Sequence, residues 1–147
     1  MNHLKTIFDW PPVWTLAGIG LIFGLDQIWS LQNHPLPGAV VILAGGLLMM
    51  VAAAQMLALR TTVNPRGQPA VLVTKGVFRL SRNPIYLGDA LVLLGLVVWL
   101  GAPLGLCVVA GFVAVITQRF ILAEELRLHA RFGDDFAHWR SRVRRWI

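Results

Sequence analysis

The sequence has few of the groups from which enzymes commonly build reactive sites. Cysteine is nearly absent: the single thiol, Cys107, lies within an apolar run and has no partner for a disulfide within the chain. The four histidines, His3, His34, His129 and His138, follow no metal-ligand spacing, so we expect no metal site. Charged residues make up only 14% of the 147 residues, well below the share found in water-soluble domains.

Signals for secretion and for nucleic-acid binding are missing as well. The first apolar run is long, begins after Trp10-Pro11-Pro12 and has no small-residue cleavage site, so we expect it to remain in the protein as a membrane span. The net charge is +6, but no nucleic-acid recognition motif accompanies it. The basic residues therefore indicate contact with anionic membrane lipids and no nucleic-acid partner.

Long apolar runs dominate the chain, which is 56% hydrophobic with a mean hydropathy of +0.67. A helix needs roughly 20 apolar residues to cross a hydrocarbon core of about 30 Å. Four runs approach this length and are apolar on all sides: Val13–Ser30, Gly38–Leu59, Ile85–Leu100 and Leu104–Gln118. A helix-breaking turn, Gly101-Ala102-Pro103, separates the last two, which predicts a helical hairpin. The sequence thus predicts an all-α, polytopic membrane protein with four transmembrane helices in a single domain, 1–147.

Lysine and arginine are distributed on one side of the predicted spans, and short loops rich in these residues stay in the cytoplasm. The loops 31–37 and 101–103 contain none. All basic residues lie in the N-terminal segment, the connection 60–84 and the tail 119–147: Lys5, Arg60, Arg66, Lys75, Arg79, Arg82, Arg119, Arg127, Arg131, Arg140, Arg142, Arg144 and Arg145. We therefore expect both termini and the connection 60–84 to be cytoplasmic, in a bacterial-type inner membrane.

The connection 60–84 ends in a mixture of apolar, glycine, aromatic and basic residues that runs straight into the third apolar run. Pro84 suits the first turn of a helix, which makes Asn83 the N-cap and leaves free backbone amides at Ile85 and Tyr86. Such a helix end attracts anions, and a carboxylate or phosphate held by these amides and by Arg82 is one interpretation. The alternative is that Arg82 extends to lipid head groups.

Acidic residues are few, and four of them have informative positions. Glu124 and Glu125 follow the fourth run on the same side as the basic connection, where they form either a solvated face or a site for a cationic group. Asp26 and Asp89 lie within apolar runs, where a carboxylate suggests a function. Asp89 is the better candidate for lining a ligand cavity because it follows Tyr86 by three residues on the same helical face.

The tail 119–147 has the pattern of an amphipathic helix. Its large apolar residues recur at helical spacing, with arginines largely on the other side: Phe132, Phe136, Trp139, Val143 and Trp146. Gly133 is expected to end the helix that continues from the fourth run. We therefore predict an interfacial helix that lies against the membrane; the same pattern fits a helix that closes over a site, and nothing in it distinguishes the two.

Four segments carry a resemblance to a known group of enzymes: Gly76-Val77-Phe78, Arg82-Asn83-Pro84-Ile85-Tyr86, Glu124-Glu125 and Phe132-Gly133-Asp134-Asp135-Phe136. In this order they resemble the isoprenylcysteine carboxyl methyltransferase and phospholipid methyltransferase superfamily of integral membrane enzymes, over roughly Thr61 to the C-terminus. The resemblance implies that S-adenosyl-L-methionine binds at the cytoplasmic side. It also implies transfer of the methyl group to a lipophilic acceptor: an isoprenylcysteine carboxylate, a phospholipid amine or another small lipophile.

The resemblance also implies a cofactor site. Gly76 and Arg82 would shape or complete this site, and seven matching positions would contact the cofactor: Leu72, Val73, Phe78, Asn83, Pro84, Tyr86 and Glu124. The chemistry of the cofactor suits these residue types. An aromatic ring, Tyr86 or Phe78, would face the sulfonium, and Glu124 would bind the ammonium or the ribose hydroxyls. Arg82 with the helix amides would bind the carboxylate, while Leu72 and Val73 would flank adenine.

The chain departs from the family pattern at three positions. Asn83 stands where histidine is more frequent, and asparagine cannot titrate near neutral pH. Phe78 replaces a frequent tyrosine. The family's acceptor-binding arginine is matched by Phe120, with Arg119 nearest, which argues against an isoprenylcysteine acceptor. Arg119 and Asp89 are the candidates for a role at the acceptor.

Two other functions fit parts of the pattern. Membrane sterol reductases share some of these segments but use NADPH and usually have more spans. A non-enzymatic membrane scaffold would leave the arginines and glutamates as ordinary interfacial charges. Saturation binding with S-adenosylmethionine and with NADPH distinguishes a methyltransferase from a reductase. For a scaffold, mutation of Arg82 and Glu124 should leave the phenotype intact.

Overall fold

The computed structural model describes residues 10–64 and 67–147, which form five α-helices and no β-strand. The helices are α1 (Pro11–Asp26), α2 (Pro35–Ala58), α3 (Pro84–Leu100), α4 (Gly105–Ile116) and α5 (Leu122–Arg142). The connection between α2 and α3 includes a 3-10 turn, Gly76–Arg79, and a π-helical turn, Thr117–Ile121, joins α4 to α5. The predicted all-helical class is confirmed.

Helix boundaries follow the local sequence. Helices α1, α2 and α3 each begin with proline, which fits a first turn because its missing N–H has no helical partner there. Gly101 ends α3 in the left-handed region at φ 68°, and α4 then packs back on α3. Gly133 also has a positive φ, 47°, and interrupts the helix as predicted, although helical residues resume after it up to Arg142.

Two helices are long and apolar enough to cross a membrane. They are α2 and the helical stretch Gly105–Arg142, which is kinked at Gly133, while α1 and α3 are apolar but shorter. Large apolar side chains of α2 point away from the bundle, and Leu36 and Leu43 are 80% and 70% exposed. An apolar exterior of this kind is covered by lipid in a membrane protein.

Helices α2 and α3 form the most extensive helix contact in the described part of the chain, and glycines allow their close approach. A Cβ placed on Gly45 would lie 2.6 Å from the backbone oxygen of Gly88, and one placed on Gly88 would lie 2.6 Å from the oxygen of Gly45. Such distances leave no room for any side chain. The backbones of α2 and α3 therefore touch directly, which is common where membrane helices pack.

Gly45→Leu should accordingly destabilise the protein by about 1–3 kcal/mol, because the two helices must separate to admit the side chain. Gly46→Leu is the matched control, since a Cβ at Gly46 meets no atom within 4 Å. Thermal unfolding in detergent, followed by tryptophan fluorescence, measures both. Equal melting temperatures for the two variants would contradict the contact.

The basic connection and the tail meet at one end of the bundle. At the other end, backbone bonds from Leu31 N to Gly101 O, 2.7 Å, and from His34 N to Val98 O, 3.3 Å, tie together the two loops that lack arginine. The loops without arginine and the connection with the tail thus lie at opposite ends of the bundle, as expected when two helices, α3 and α4, separate the connection from the tail. Lys5, His3 and Arg66 lie outside the described residues.

The apolar face of α5 does not lie against lipid, and in this respect the prediction of an interfacial helix is wrong. Phe136, Trp139 and Val143 are buried in a cluster with Val73 and Phe78 of the connection. The Trp139 indole donates a hydrogen bond to the backbone oxygen of Phe78, 3.3 Å. The apolar residues of the connection thus supply the surface that the helix buries.

Candidate functional site

A cavity of about 610 Å³ lies among the first turns of α1 and α3, the second half of α2 and the connection. Its size is that of sites for small organic ligands, and most of its lining is apolar. Among the described residues, three charged side chains line it: Arg82, Asp89 and Glu124. A smaller recess adjoins it and shares the walls formed by Phe78, Arg82 and Glu124.

The structure brings together eight of the nine residues predicted to bind the cofactor. Six line the large cavity, namely Phe78, Arg82, Asn83, Pro84, Tyr86 and Glu124, and Leu72 and Val73 line the adjoining recess. Tyr86 and Glu124 therefore face one space although they lie in different helices. Gly76 lines neither; it has φ 59°, which favours glycine, and it lies against the end of the Gln55 side chain of α2, which would have to move to admit a Cβ.

Asn83 occupies the N-cap position of α3, but its side chain does not cap the helix. The Nδ2 amide instead donates to the backbone oxygen of Arg145, 3.0 Å, and the Ser81 hydroxyl donates to the same oxygen, 3.2 Å. The backbone N–H of Arg82 donates to the oxygen of Arg144, 3.0 Å. Residues 143–147 thus run along the start of α3 and fix the backbone of the segment that carries Arg82 and Asn83.

Arg82 is held by Glu125, not by lipid. Its Nη2 lies 3.1 Å from Oε1 of Glu125, whose carboxylate also accepts two bonds from Arg145, at 3.0 Å from Nε and 2.7 Å from Nη2. The Arg82 side chain is only 8% exposed. The interpretation in which Arg82 extends to head groups is therefore wrong: the carboxylate of Glu125 and the backbone of the tail retain it inside the protein.

The Arg82 guanidinium keeps two donors that Glu125 does not use. Its Nε and Nη1 are buried and make no hydrogen bond to the described residues. Burial lowers the pKa of Arg82, and the opposing charge of Glu125 limits that effect. A buried guanidinium with unused donors is costly unless an acceptor binds it, so an anionic or carbonyl group in the cavity is the natural partner.

The two adjacent glutamates differ in environment. Successive helical residues point about 100° apart, so Glu125 faces the tail while Glu124 faces the cavity. Burial raises the pKa of Glu124 to about 7, a shift that the charge of Arg127 opposes. Burial alone would also raise the pKa of Glu125, but the hydrogen bonds from Arg145 and the charge of Arg82 bring it below its usual value.

The two candidates for a role at the acceptor are separated by the structure. Asp89 lines the cavity on α3, is 7% exposed and lies beside the hydroxyl of Thr15. Arg119 is exposed and lies outside the cavity, with its guanidinium carbon 5.6 Å from the ring centre of Trp14. The π-helical turn that contains Arg119 directs it outward, so the hypothesis that it holds an acceptor carboxylate is not supported.

The sequence left open whether the tail is a membrane anchor or closes over a site, and the structure shows its last residues bonded to the start of α3. Besides its bonds to the start of α3, it places the Trp146 indole 3.2 Å from the hydroxyl of Thr117. Thr117 in turn donates to the oxygen of Val113, 2.7 Å. In these contacts with residues 81–83 the tail offers backbone oxygens, which every residue has, so the sequence of the tail does not predict them. The sequence does show an acidic pair at 124–125 followed by a segment rich in arginine, which is consistent with the ion pair between Glu125 and Arg145.

Two comparisons with known proteins give matches. The sequence model of the phospholipid methyltransferase family matches residues 33–135, from the start of α2 to just beyond Gly133. An uncharacterised protein of Haemophilus influenzae is 40% identical over 63 residues, an alignment that covers 43% of this chain and the whole of the relative. The family match includes the connection, α3 and both glutamates, and thus all the lining residues from Leu72 to Glu124. The chain therefore belongs to the phospholipid methyltransferase family.

Proposed function

We propose that this protein is an S-adenosyl-L-methionine-dependent methyltransferase that methylates a lipophilic acceptor at the cytoplasmic face of the membrane. One observation carries the proposal: Arg82, which has two buried donors without a partner among the described residues, lines a single cavity together with Glu124 and Tyr86. Family membership supplies the reaction class.

The residues present fit the chemical groups of the cofactor. Arg82 offers two unused buried donors to its carboxylate, and Glu124 offers an acceptor to its ammonium or ribose. Tyr86 and Phe78 provide aromatic faces for the sulfonium, and the recess lined by Leu72 and Val73 provides an apolar slot for adenine. When bound, the cofactor supplies an electrophilic methyl group.

The protein's contribution to such a reaction is alignment and the exclusion of water. The cavity is predominantly apolar, which favours the exclusion of water. Direct methyl transfer requires no cysteine nucleophile, and Cys107 lies exposed on α4, outside the described lining. We infer that all four apolar helices span the bilayer and that the end carrying the connection and the tail is cytoplasmic. The concentration of arginine at that end supports this orientation.

Glu124→Gln should weaken binding of S-adenosylmethionine at about pH 7.5 by roughly ten- to a hundredfold, because a charge-assisted hydrogen bond is lost. Wild-type affinity should also depend on pH. Since the pKa of Glu124 is about 7, its carboxyl group is neutral in more acidic solution and binds a cation poorly. Affinity should rise about tenfold from pH 5.5 to 7.0 as this group ionises. Isothermal titration calorimetry in detergent measures both effects.

The Glu124→Gln variant is its own control for the pH dependence. Glutamine does not titrate, so the affinity of the variant should be nearly constant over the same pH range. The Glu124→Ala variant should also bind weakly while remaining folded. Unchanged cofactor binding in both variants would remove Glu124 from the site.

The function itself is tested by transfer of labelled methyl from S-adenosylmethionine to a lipid extract, with the product identified by mass spectrometry. Saturation binding with NADPH is the parallel arm. Binding of NADPH without S-adenosylmethionine would favour a reductase. Loss of labelled product in the Arg82→Lys and Glu124→Gln variants would connect the activity to the cavity.

A further inference from the structure

The carboxylate of Glu125 binds two guanidinium groups, and it binds them unequally. Arg145 lies across both oxygens, with its Nε 3.0 Å from Oε1 and its Nη2 2.7 Å from Oε2. Arg82 meets only one oxygen, with its Nη2 3.1 Å from Oε1. Two parallel bonds are the stronger arrangement for a guanidinium and a carboxylate. Arg145 therefore holds the better position on Glu125, and Arg82 is limited to a single contact.

This division leaves two donors of Arg82 unused. Its Nε and Nη1 are buried and make no hydrogen bond to the described residues. A second bond from Arg82 to Glu125 would have to use one of these two groups beside Nη2. A buried donor without a partner is costly, so Arg82 would gain from that second bond. Arg145 prevents it because its fork already spans both oxygens of the carboxylate.

The backbone of the tail holds Arg145 in place independently of its side chain. Its carbonyl oxygen accepts bonds from the Ser81 hydroxyl, 3.2 Å, and from the Asn83 amide, 3.0 Å, so it is tied to both neighbours of Arg82. The next residue, Trp146, bonds to the π turn through its indole. The side chain of Arg145 is 32% exposed and can be replaced without touching these bonds. We therefore expect variants at this position to fold.

We propose that Arg145 is a positioning residue, which keeps two donors of Arg82 available for the cofactor by occupying both oxygens of Glu125. The inference rests on the proposed function, in which Arg82 binds the carboxylate of S-adenosylmethionine. Without the fork of Arg145, the guanidinium of Arg82 rotates and pairs with Glu125 through two bonds. The carboxylate of the cofactor must then compete with one that is part of the protein. Arg145 lies beyond residues 33–135, which the family model matches.

The test replaces Arg145 in the purified full chain and measures binding of S-adenosylmethionine by isothermal titration calorimetry in detergent. Arg145→Met removes every donor, whereas Arg145→Lys keeps the charge but donates from one nitrogen and lacks the fork. Both variants should bind the cofactor roughly ten- to a hundredfold more weakly than wild type, the range for one hydrogen bond to a charged group. Arg142→Met, at an exposed arginine three residues earlier, is the matched control and should leave affinity unchanged.

A second ligand separates positioning from damage to the cavity. 5′-Methylthioadenosine keeps the nucleoside of the cofactor but has no carboxylate for Arg82 to bind. Its affinity for both Arg145 variants should therefore stay close to that for wild type. Thermal unfolding of the same samples shows whether each variant is folded. If Arg145→Met does not unfold cooperatively, Arg145→Lys decides the question, because lysine still forms an ion pair with Glu125.

Three results would overturn the inference. Wild-type affinity for the cofactor in Arg145→Lys would show that the fork is not needed. Equal losses for the cofactor and for 5′-methylthioadenosine in a folded variant would make Arg145 a support of the whole cavity. Failure of Arg145→Lys to fold would make its role structural. A wild-type protein that binds no S-adenosylmethionine would instead refute the proposed function, and that result is obtained before any variant is compared.

Discussion

Glu125→Gln is expected to destabilise the folded protein by about 3–5 kcal/mol, since removing one partner of a buried ion pair leaves the other charge unpaired. The carboxylate accepts bonds from Arg82 and Arg145, and the Arg82 side chain is 8% exposed. Glutamine keeps the shape but offers one neutral oxygen to two guanidinium groups. Thermal unfolding in detergent at about pH 7.5, followed by tryptophan fluorescence, measures the loss.

Glu124→Gln is a closely matched control, because the same chemical change occurs one residue earlier in the same helix. The pKa of Glu124 is raised, so its folded environment already favours the neutral form, and a neutral amide should cost little stability. Glu125 has the opposite shift. Its contribution to stability is present at neutral pH and is lost as pH falls through its lowered pKa. Equal melting temperatures for the two variants would show that the network with Arg82 contributes nothing.

Arg82→Lys should reduce affinity for S-adenosylmethionine by roughly ten- to a hundredfold although the positive charge is kept. Lysine can still approach Glu125, but it lacks the planar fork whose Nε and Nη1 have no partner among the described residues and, in the proposed function, bind the carboxylate of the cofactor. A hydrogen bond to a charged group is worth about 1.5–3 kcal/mol, which corresponds to this range of affinity. Isothermal titration calorimetry measures it in detergent.

Two comparisons make the Arg82 result specific. The same substitution at Arg79, which is exposed in the neighbouring 3-10 turn, should leave affinity unchanged. Binding of 5′-methylthioadenosine, which has neither the carboxylate nor the ammonium, should change little in Arg82→Lys. If affinity for this probe fell as far as affinity for the cofactor, Arg82 would be shaping the cavity without binding a carboxylate.

The helices could be predicted from the sequence because their signals are local. The predicted run Ile85–Leu100 differs from α3 by one residue, since Pro84 and Gly101 mark its two ends. The predicted run Leu104–Gln118 begins one residue before α4 and ends two residues after it. At its C-terminal end the helical path continues through the π turn, so the apolar run does not mark where α4 ends. Apolar length and helix-terminal residues are sufficient for these assignments.

The composition of the site could be predicted only in part. Family resemblance selected Tyr86 and Glu124, and the structure places both on one cavity, while their roles with a cofactor stay predictions. The partner of Arg82 could not be deduced. Glu124 and Glu125 are equivalent in a linear sequence, and which one meets Arg82 depends on how the π turn orients the helix after α4.

The attachment of the tail to the start of α3 has a consequence for biogenesis. Asn83 and the tail oxygen that it binds are 62 positions apart. A ribosome adding about 5–20 residues per second reaches that oxygen about 3 to 12 s after Asn83. Glu125, the counter-ion of Arg82, is synthesised within this interval, after the first three apolar helices. A nascent chain halted before Glu125 would therefore carry those helices with the Arg82 side chain still lacking its ion pair.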